Sequence, residues 1–234
     1  SNRETVGRVA AGAIAKKLLK AMKIKTFGFV QQIGNIKCKK ININYIEKNS
    51  LRIADKDKFD EMANLIDSVR KSGDSIGGVI EVRSTGMPAG LGSPVFEKLD
   101  ARLSSAIMGI GGVRGFEIGL GFQVASMKGS EVNDIMVGKS KGKVKFRTNN
   151  AGGILGGISN GNDLILRFAL KPTSSISQKQ DSIDNKGKQK KLQVKGRHDP
   201  CLCPRAVPIA EAMVNLVLLD CILENNLSTV KKIT

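Results

Sequence analysis

Tryptophan is absent from this chain, and it holds a single tyrosine and a single histidine. With aromatics at 4% of 234 residues, no stacking platform for unpaired bases is in view, which weighs against a dedicated nucleic-acid binder. The four cysteines, Cys38, Cys201, Cys203 and Cys221, do not form a disulfide framework. Cys201 and Cys203 are two apart, too tight for a zinc knuckle, and only His198 is available to join them. All four read as reduced thiols of a cytoplasmic protein, and no metal site is expected. No stretch approaches the ~18 to 20 apolar residues that span a bilayer, so no membrane association is expected. The small-residue run Val9 to Ala15 is flanked by Arg8 and Lys16 and reads as a close-packed helix rather than a signal peptide. No G-x-G-x-x-G follows a strand and no G-x-x-x-x-G-K-[ST] is present, which removes the Rossmann and P-loop readings.

Acidic residues are also scarce, 21 against 38 Lys and Arg, for a net charge of +17 and a pI near 9.9. The excess is local. Residues 1–50 carry eleven basic residues against two acids, and residues 177–197 carry seven against two. Such clustering raises the local concentration of anions and steers a polyanionic substrate. The same charge would also bind nucleic acid non-specifically through phosphates.

What is present is the pattern of one α+β domain over residues 1–234. Ser1 and Glu4 suggest a capping box ahead of a helix to about Met22. Val6, Val9, Ala10, Ala13, Ile14 and Leu18 recur there at helical spacing, and Gly7, Ala11 and Gly12 permit close approach of another element. Thr26–Ile33 reads as a strand, Lys37–Ala54 as an irregular basic connection, and Asp57–Lys71 as an amphipathic helix with Phe59, Met62, Leu65, Ile66 and Val69 on one face. A β-α-β-β series follows: strand Gly77–Ser84, helix Val95–Met108 with Leu99, Leu103 and Ile107 inward, strand Arg114–Ala125, and strand Asn162–Leu170. Five glycines between 152 and 161 are heavy for a linker. Residues 177–196 hold six lysines and few apolar residues, as an exposed loop would. A long helix runs from about Arg205 to Asn225. The order suggests a layered sandwich.

The densest chemistry lies in GRHDPCLCPRAVPIAEAM, Gly196 to Met213. Arg197 and Arg205 flank His198 and Asp199 where an apolar helix opens, and a helix N-terminus is itself attractive to anions. Paired guanidiniums would add bidentate recognition of phosphate or carboxylate. The plainer reading is a basic loop with an ordinary cap, Asp199 serving as N-cap. KPTSSI, Lys171 to Ile176, combines one cation, a φ-fixing proline and three hydroxyls, a compact clamp for phosphate or a ring edge. Gly111, Gly112 and Gly156 offer backbone that a flat ligand can approach closely, or plain turns and bulges.

Five blocks in order resemble the chorismate synthase family: RETVGRVAAGAIAKKLL (Arg3 to Leu19), GDSIGG with MPAGLGSPVFEKLDARL (Gly73 to Leu103), GGVRGFEIGLGF (Gly111 to Phe122), NNAGGILGGIS with KPTSSI (Asn149 to Ile176), and the Gly196 block. The resemblance implies the family's βαββ sandwich, a homotetramer, and a reaction. That reaction is 1,4-elimination of phosphate from 5-enolpyruvylshikimate 3-phosphate to give chorismate, the last common step of the shikimate pathway. It requires reduced FMN without net redox change. The resemblance further assigns Lys171, Pro172, Thr173, Ser174 and Ser175 to the flavin, with Gly111, Gly112, Gly156, Arg197 and Ser1. It directs Arg3 and Arg197 at the substrate and places Asp199 to tune the flavin's protonation. Asn150, Gly111 and Leu120 stand where the family commonly has histidine, asparagine and aspartate. The family's GESHG and RPGHAD blocks, with two catalytic histidines, are not in the chain, so it is expected to be a C-terminal portion of the enzyme, inactive by itself. A non-catalytic flavin-binding remnant is the competing expectation.

Overall fold

The computed structural model describes residues 2–140 and 143–228. Contacts divide the chain into two compact units, neither continuous in sequence. The first comprises residues up to Gly28, Glu81–Phe168 and those from Val207; the second comprises Phe29–Ile80 and Ala169–Ala206. Helices are α1 Thr5–Ala21, α2 Ile43–Ile46, α3 Phe59–Lys71, α4 Leu99–Met108, α5 Gly129–Val132 and α6 Cys203–Ser228. Strands β1 Lys25–Ile33, β2 Ile36–Lys37, β3 Gly78–Thr85, β4 Val113–Ile118 and β9 Leu164–Leu170 form one sheet in the order β2-β1-β3-β9-β4. Three antiparallel ribbons pair β5 Met136–Ser140 with β6 Lys143–Phe146, β7 Ile154–Leu155 with β8 Ile158–Ser159, and β10 Gln180–Ile183 with β11 Gln189–Leu192. The architecture is α+β.

In the first unit, α1 lies against α6 through small residues. A Cβ on Gly12 would stand 2.5 Å from the Ala212 Cα, and Glu211 bridges the contact by accepting from Lys16 Nζ at 2.9 Å and from the Gly28 N–H at 2.8 Å. This packing inverts the expected face of α1. Thr5, Gly12, Ala15 and Leu19 are buried, while Val6 is 73% and Ile14 67% exposed. Close helix approach selects the small residues, and the larger aliphatics turn outward. Gly7 has open space around it. The expected capping box involves Ser1, which lies outside the described residues; Glu4, the residue before α1, makes no side-chain cap bond and its carboxylate accepts from Arg8 at 2.9 Å.

Leu99, Leu103 and Ile107 of α4 are fully buried as their spacing predicts. The helix starts at Leu99 rather than Val95, and Phe96 is exposed. The expected strand Arg114–Ala125 ends at Ile118. Gly119 and Gly121 take positive φ of 59° and 57°, which turns the chain into a 3-10 segment, Gly121–Ser126. The glycine-rich stretch is a hairpin. Gly156 and Gly157, at φ 60° and 84°, make the two-residue turn between β7 and β8, a geometry that demands positive φ at both central positions.

In the second unit, Phe29, Val30, Ile33, Ile53, Met62 and Ile80 form the core. Within the expected irregular stretch Lys37–Ala54 lie the last residue of β2, all of α2 and the buried pair Ile53 and Ala54. The exposed loop 177–196 is largely the β10–β11 hairpin, with Asp181 opposite Lys191 and Ser182 opposite Lys190. Its strands have no apolar face, so the period-2 signal was missing. α6 begins at Cys203, two residues before the expected Arg205. Pro208 offers no N–H to the Pro204 carbonyl, and Arg52 Nη1 donates to it instead at 3.2 Å. Contrary to expectation, α6 is long and apolar enough to cross a membrane by length and composition. Half of that stretch is buried, with Ala210, Val214 and Leu218 fully so, which is the pattern of a core helix.

Candidate functional site

Three loops of the second unit come together: Gly73–Gly77 ahead of β3, Lys171–Ile176 after β9, and Gly196–Leu202 ahead of α6. Ser75 Oγ donates to the Thr173 carbonyl at 2.6 Å, and Thr173 Oγ1 donates to the Asp199 carbonyl at 3.2 Å. The Ile76 N–H reaches the Pro200 carbonyl at 2.7 Å, and the Ser177 N–H reaches the Gly73 carbonyl at 2.9 Å. Glycine is required at position 77, because a Cβ there would meet the Leu170 carbonyl and stand 3.0 Å from Pro172 Cδ. Ile176 is buried and anchors the far end of the segment. Backbone groups that a loop would otherwise show to water are thus paired, which fixes the loops relative to each other.

On this frame Lys171, Pro172 and Ser174 are exposed, while Thr173 and Ser175 are half-buried. Arg197 is 80% and Arg205 61% exposed at their side chains. Asp199 is not the N-cap of α6, whose first residue lies four positions on. Its Oδ2 instead accepts from Arg205 Nη1 at 2.8 Å, and Oδ1 lies 4.0 Å from Arg197 Nη1. A carboxylate between two guanidiniums holds both where a further anion can share them. His198 turns away from this group, its Nε2 contacting the Val194 carbonyl at 3.2 Å.

The remaining expected site residues belong to the first unit. Gly111 is exposed and Gly112 half-buried with φ 94°, just beyond Gly109, whose carbonyl accepts from Arg8 at 3.1 Å. Gly156 is exposed with no atom near the place of a Cβ, so its outer face is open to a ligand. Its turn is held from behind, where the Gly157 carbonyl accepts the Leu99 N–H at 2.8 Å and Ser159 Oγ bridges Leu91 and Pro88. Arg3 is exposed. Asn150 staples neighbouring backbone, its Nδ2 donating to the Glu131 and Val132 carbonyls while its N–H reaches Asp134 at 2.6 Å. A first-unit cavity of about 330 Å³, lined by Lys98, Asp100, Ser104 and Glu117 among others, contains none of the expected site residues.

Two features were not singled out from sequence. Ser75 sits within a quoted block, where its partner 98 residues away could not be read. The other is an ion network across β3, β4 and β9. The fully interior Glu81 takes Arg83 at 2.6 Å and Arg167 at 3.4 Å, and Arg167 also takes Glu117 at 2.6 Å. Alternation of charged residues within otherwise apolar strands was the only signal of it. Among the described residues no group of three or more His, Cys, Asp or Glu could hold a metal.

A sequence model described as chorismate synthase matches residues 1–223. A curated chorismate synthase of Archaeoglobus fulgidus is 50% identical over 232 residues, covering 97% of this chain and 64% of that protein. One of Methanosarcina mazei is 48% identical over 225 residues, covering 94% and 61%. A solved structure described as chorismate synthase superposes with a TM-score of 0.81 at 33% identity, over 96% of this chain and 64% of that one. The chain therefore spans a little under two thirds of the length of the relatives it matches.

Proposed function

The chain belongs to the chorismate synthase family, and on that premise we propose that it serves the elimination of phosphate from 5-enolpyruvylshikimate 3-phosphate to give chorismate, with reduced FMN. In that reaction one C–H and one C–O bond break and a new C=C bond forms. The proton departs, the phosphate leaves with the C–O electron pair, and nothing is oxidised or reduced overall. When bound, reduced FMN supplies electron density toward the departing phosphate and a place for the proton.

The observation that carries this reading is the second-unit cluster, where the loops bearing exposed Lys171, the KPTSSI hydroxyls and Arg197, with Arg205 just beyond, are locked together through Ser75, Thr173 and Ile76. That donor set suits a phosphate or the polar edge of a flavin. Lys171 and the segment Pro172–Ser175 hold the cofactor; Gly111, Gly112 and Gly156 present bare backbone to a flat ligand. Ser1, outside the described residues, is assigned to the cofactor by family resemblance alone. Arg3 and Arg197 neutralise a substrate that carries one phosphate and two carboxylates. Asp199, with Oδ2 committed to Arg205, keeps Oδ1 as the atom that can accept from a flavin N–H and so bias where its proton resides. Assembly as a homotetramer and a cytoplasmic location complete the proposal.

The test is a chimera in which these 234 residues replace the matching part of the Archaeoglobus fulgidus protein. FMN fluorescence is expected to change on titration, and Lys171→Ala is expected to weaken binding about tenfold, the loss of one charge-assisted contact of ~1.5 kcal/mol. A parent chimera that left FMN fluorescence unaltered at high protein excess would refute the cofactor assignment.

A further inference from the structure

The Gly73–Gly77 loop carries none of the groups given to flavin or substrate, yet it runs between the two segments that do. Its Gly73 carbonyl accepts the Ser177 N–H at 2.9 Å, and its Ile76 N–H donates to the Pro200 carbonyl at 2.7 Å. Just before it, the Ser72 carbonyl accepts from Gln178 Nε2 at 3.0 Å. These contacts secure the far end of KPTSSI and the residue after Asp199. The middle of KPTSSI is reached by a side chain instead. Ser75, half-buried, donates from Oγ to the Thr173 carbonyl at 2.6 Å, and Thr173 Oγ1 donates in turn to the Asp199 carbonyl at 3.2 Å. Ser75 is itself held, since Asp74 Oδ1 accepts its N–H at 2.7 Å. One hydroxyl thus starts a hydrogen-bonded chain that ends on the backbone of Asp199, and it grips KPTSSI two residues from Lys171.

We propose that Ser75 is a positioning residue for the elimination, setting Lys171 and Asp199 in register so that both meet one flavin. This rests on the reading that those two groups serve the cofactor. The physical reason is preorganisation. A clamp whose peptide groups are already paired loses little freedom when its ligand arrives, whereas an unpaired loop must be ordered at each binding event. A serine suits the place because its hydroxyl rotates to donate where the carbonyl stands. Without it the Thr173 carbonyl turns to water, and the bond from Thr173 Oγ1 to Asp199 then hangs on a segment that is no longer fixed. The consequence is shared. Ser75 acts on flavin affinity through Lys171 and on turnover through Asp199, with no contact of its own to either ligand.

The experiment has two arms. In the 234-residue chain without flavin, Ser75→Ala is expected to speed amide hydrogen exchange at Ile76 and Ser177 about fivefold, as loss of one hydrogen bond allows. The Val30 N–H, bonded to the Arg52 carbonyl at 2.9 Å in the same unit, should keep its parent rate. In the chimera, Ser75→Ala should weaken FMN binding about fivefold by fluorescence titration, but less than about twofold in the Lys171→Ala background, where nothing is left to position. Likewise it should lower kcat in the parent background and no further in Asp199→Ala. Ser75→Thr, which keeps the hydroxyl, should bind FMN as the parent does. Equal acceleration of exchange at Val30 would make Ser75 a general stabiliser and overturn the proposal, and so would additive effects in both backgrounds. A Ser75→Ala chimera that binds FMN like the parent while Lys171→Ala weakens it overturns the role of Ser75 and leaves the cofactor assignment standing; a parent chimera blind to FMN removes both. If Ser75→Ala does not fold, Ser75→Cys takes its place, close in size and only a weak donor.

Discussion

Asp199 shows how far a single side chain's role depends on its partners. Its pairing with Arg205 at 2.8 Å means that truncation frees a guanidinium as well as removing an oxygen. In the chimera, Asp199→Ala is expected to lower kcat at least tenfold while shifting the flavin Kd less than Lys171→Ala does, because a group that biases a proton acts as the reaction proceeds. Turnover at the parent rate would leave Asp199 only its link to Arg205. Asp55 is the structural counterpart in the second unit, 2% exposed. Its carboxylate accepts the N–H groups of Lys39 at 2.8 Å, Lys40 at 3.0 Å and Asp57 at 3.2 Å. Burial acts to raise its pKa, but the three N–H donors and the Lys40 charge together outweigh it and hold it below the ordinary aspartate value. A depressed folded pKa contributes stability above the unfolded value, lost as pH falls through the folded one. Asp55→Asn should therefore cost about 1–3 kcal/mol at neutral pH, and chemical denaturation repeated toward acid should show the gap closing. A gap independent of pH would mean that the charge contributes nothing.

At the scale of elements, two opposing terms decide the α1–α6 contact. Gly12→Ala gains about 1 kcal/mol of helix propensity, yet the added methyl would stand 2.5 Å from the Ala212 Cα, and forcing helices apart typically costs ~1–3 kcal/mol. Overpacking wins. Gly12→Ala is expected to lower Tm by several degrees, since about 1 kcal/mol moves a domain of this size by ~2–4 °C. Gly7→Ala, with open space around it, should raise Tm or leave it unchanged. Calorimetry of the two variants settles the matter, and equal shifts would show that propensity rather than packing controls α1.

For the whole molecule, charge and coverage set the expectations. The excess of +17 includes exposed groups such as Lys171 and Arg197, and it suits the proposed substrate with its three anionic groups. The 234 residues correspond to a little under two thirds of their relatives, and their single histidine contacts the backbone of Val194. An anaerobic assay of the chain by itself, with reduced FMN and substrate in excess, is expected to form no chorismate. Incomplete positioning of substrate and cofactor can raise a barrier by ~7 kcal/mol or more. Clear turnover would show that the chemistry needs only the blocks present here.

Helices α3, α4 and α6 and strands β1, β3 and β9 were legible in the sequence because their apolar spacing and flanking turn residues agree with one another. Leu99, Leu103 and Ile107 are the plain case, buried as their spacing requires. The glycine and KPTSSI blocks showed only which groups are on offer, since bare backbone and clustered hydroxyls are properties of residues; by themselves they did not name a ligand. Tertiary structure alone decided which face of α1 turns inward, because Gly12 against Ala212 is a contact 200 residues long. It alone gave Asp199 to Arg205 rather than to the helix terminus. It placed Glu81 between Arg83 and Arg167, which local periodicity could not foresee, and paired β10 with β11 without an apolar face to announce them. Local pattern fixes where a chain bends and what it buries on average. Partners far apart in sequence are selected only when packing and the pairing of buried polar groups are satisfied together.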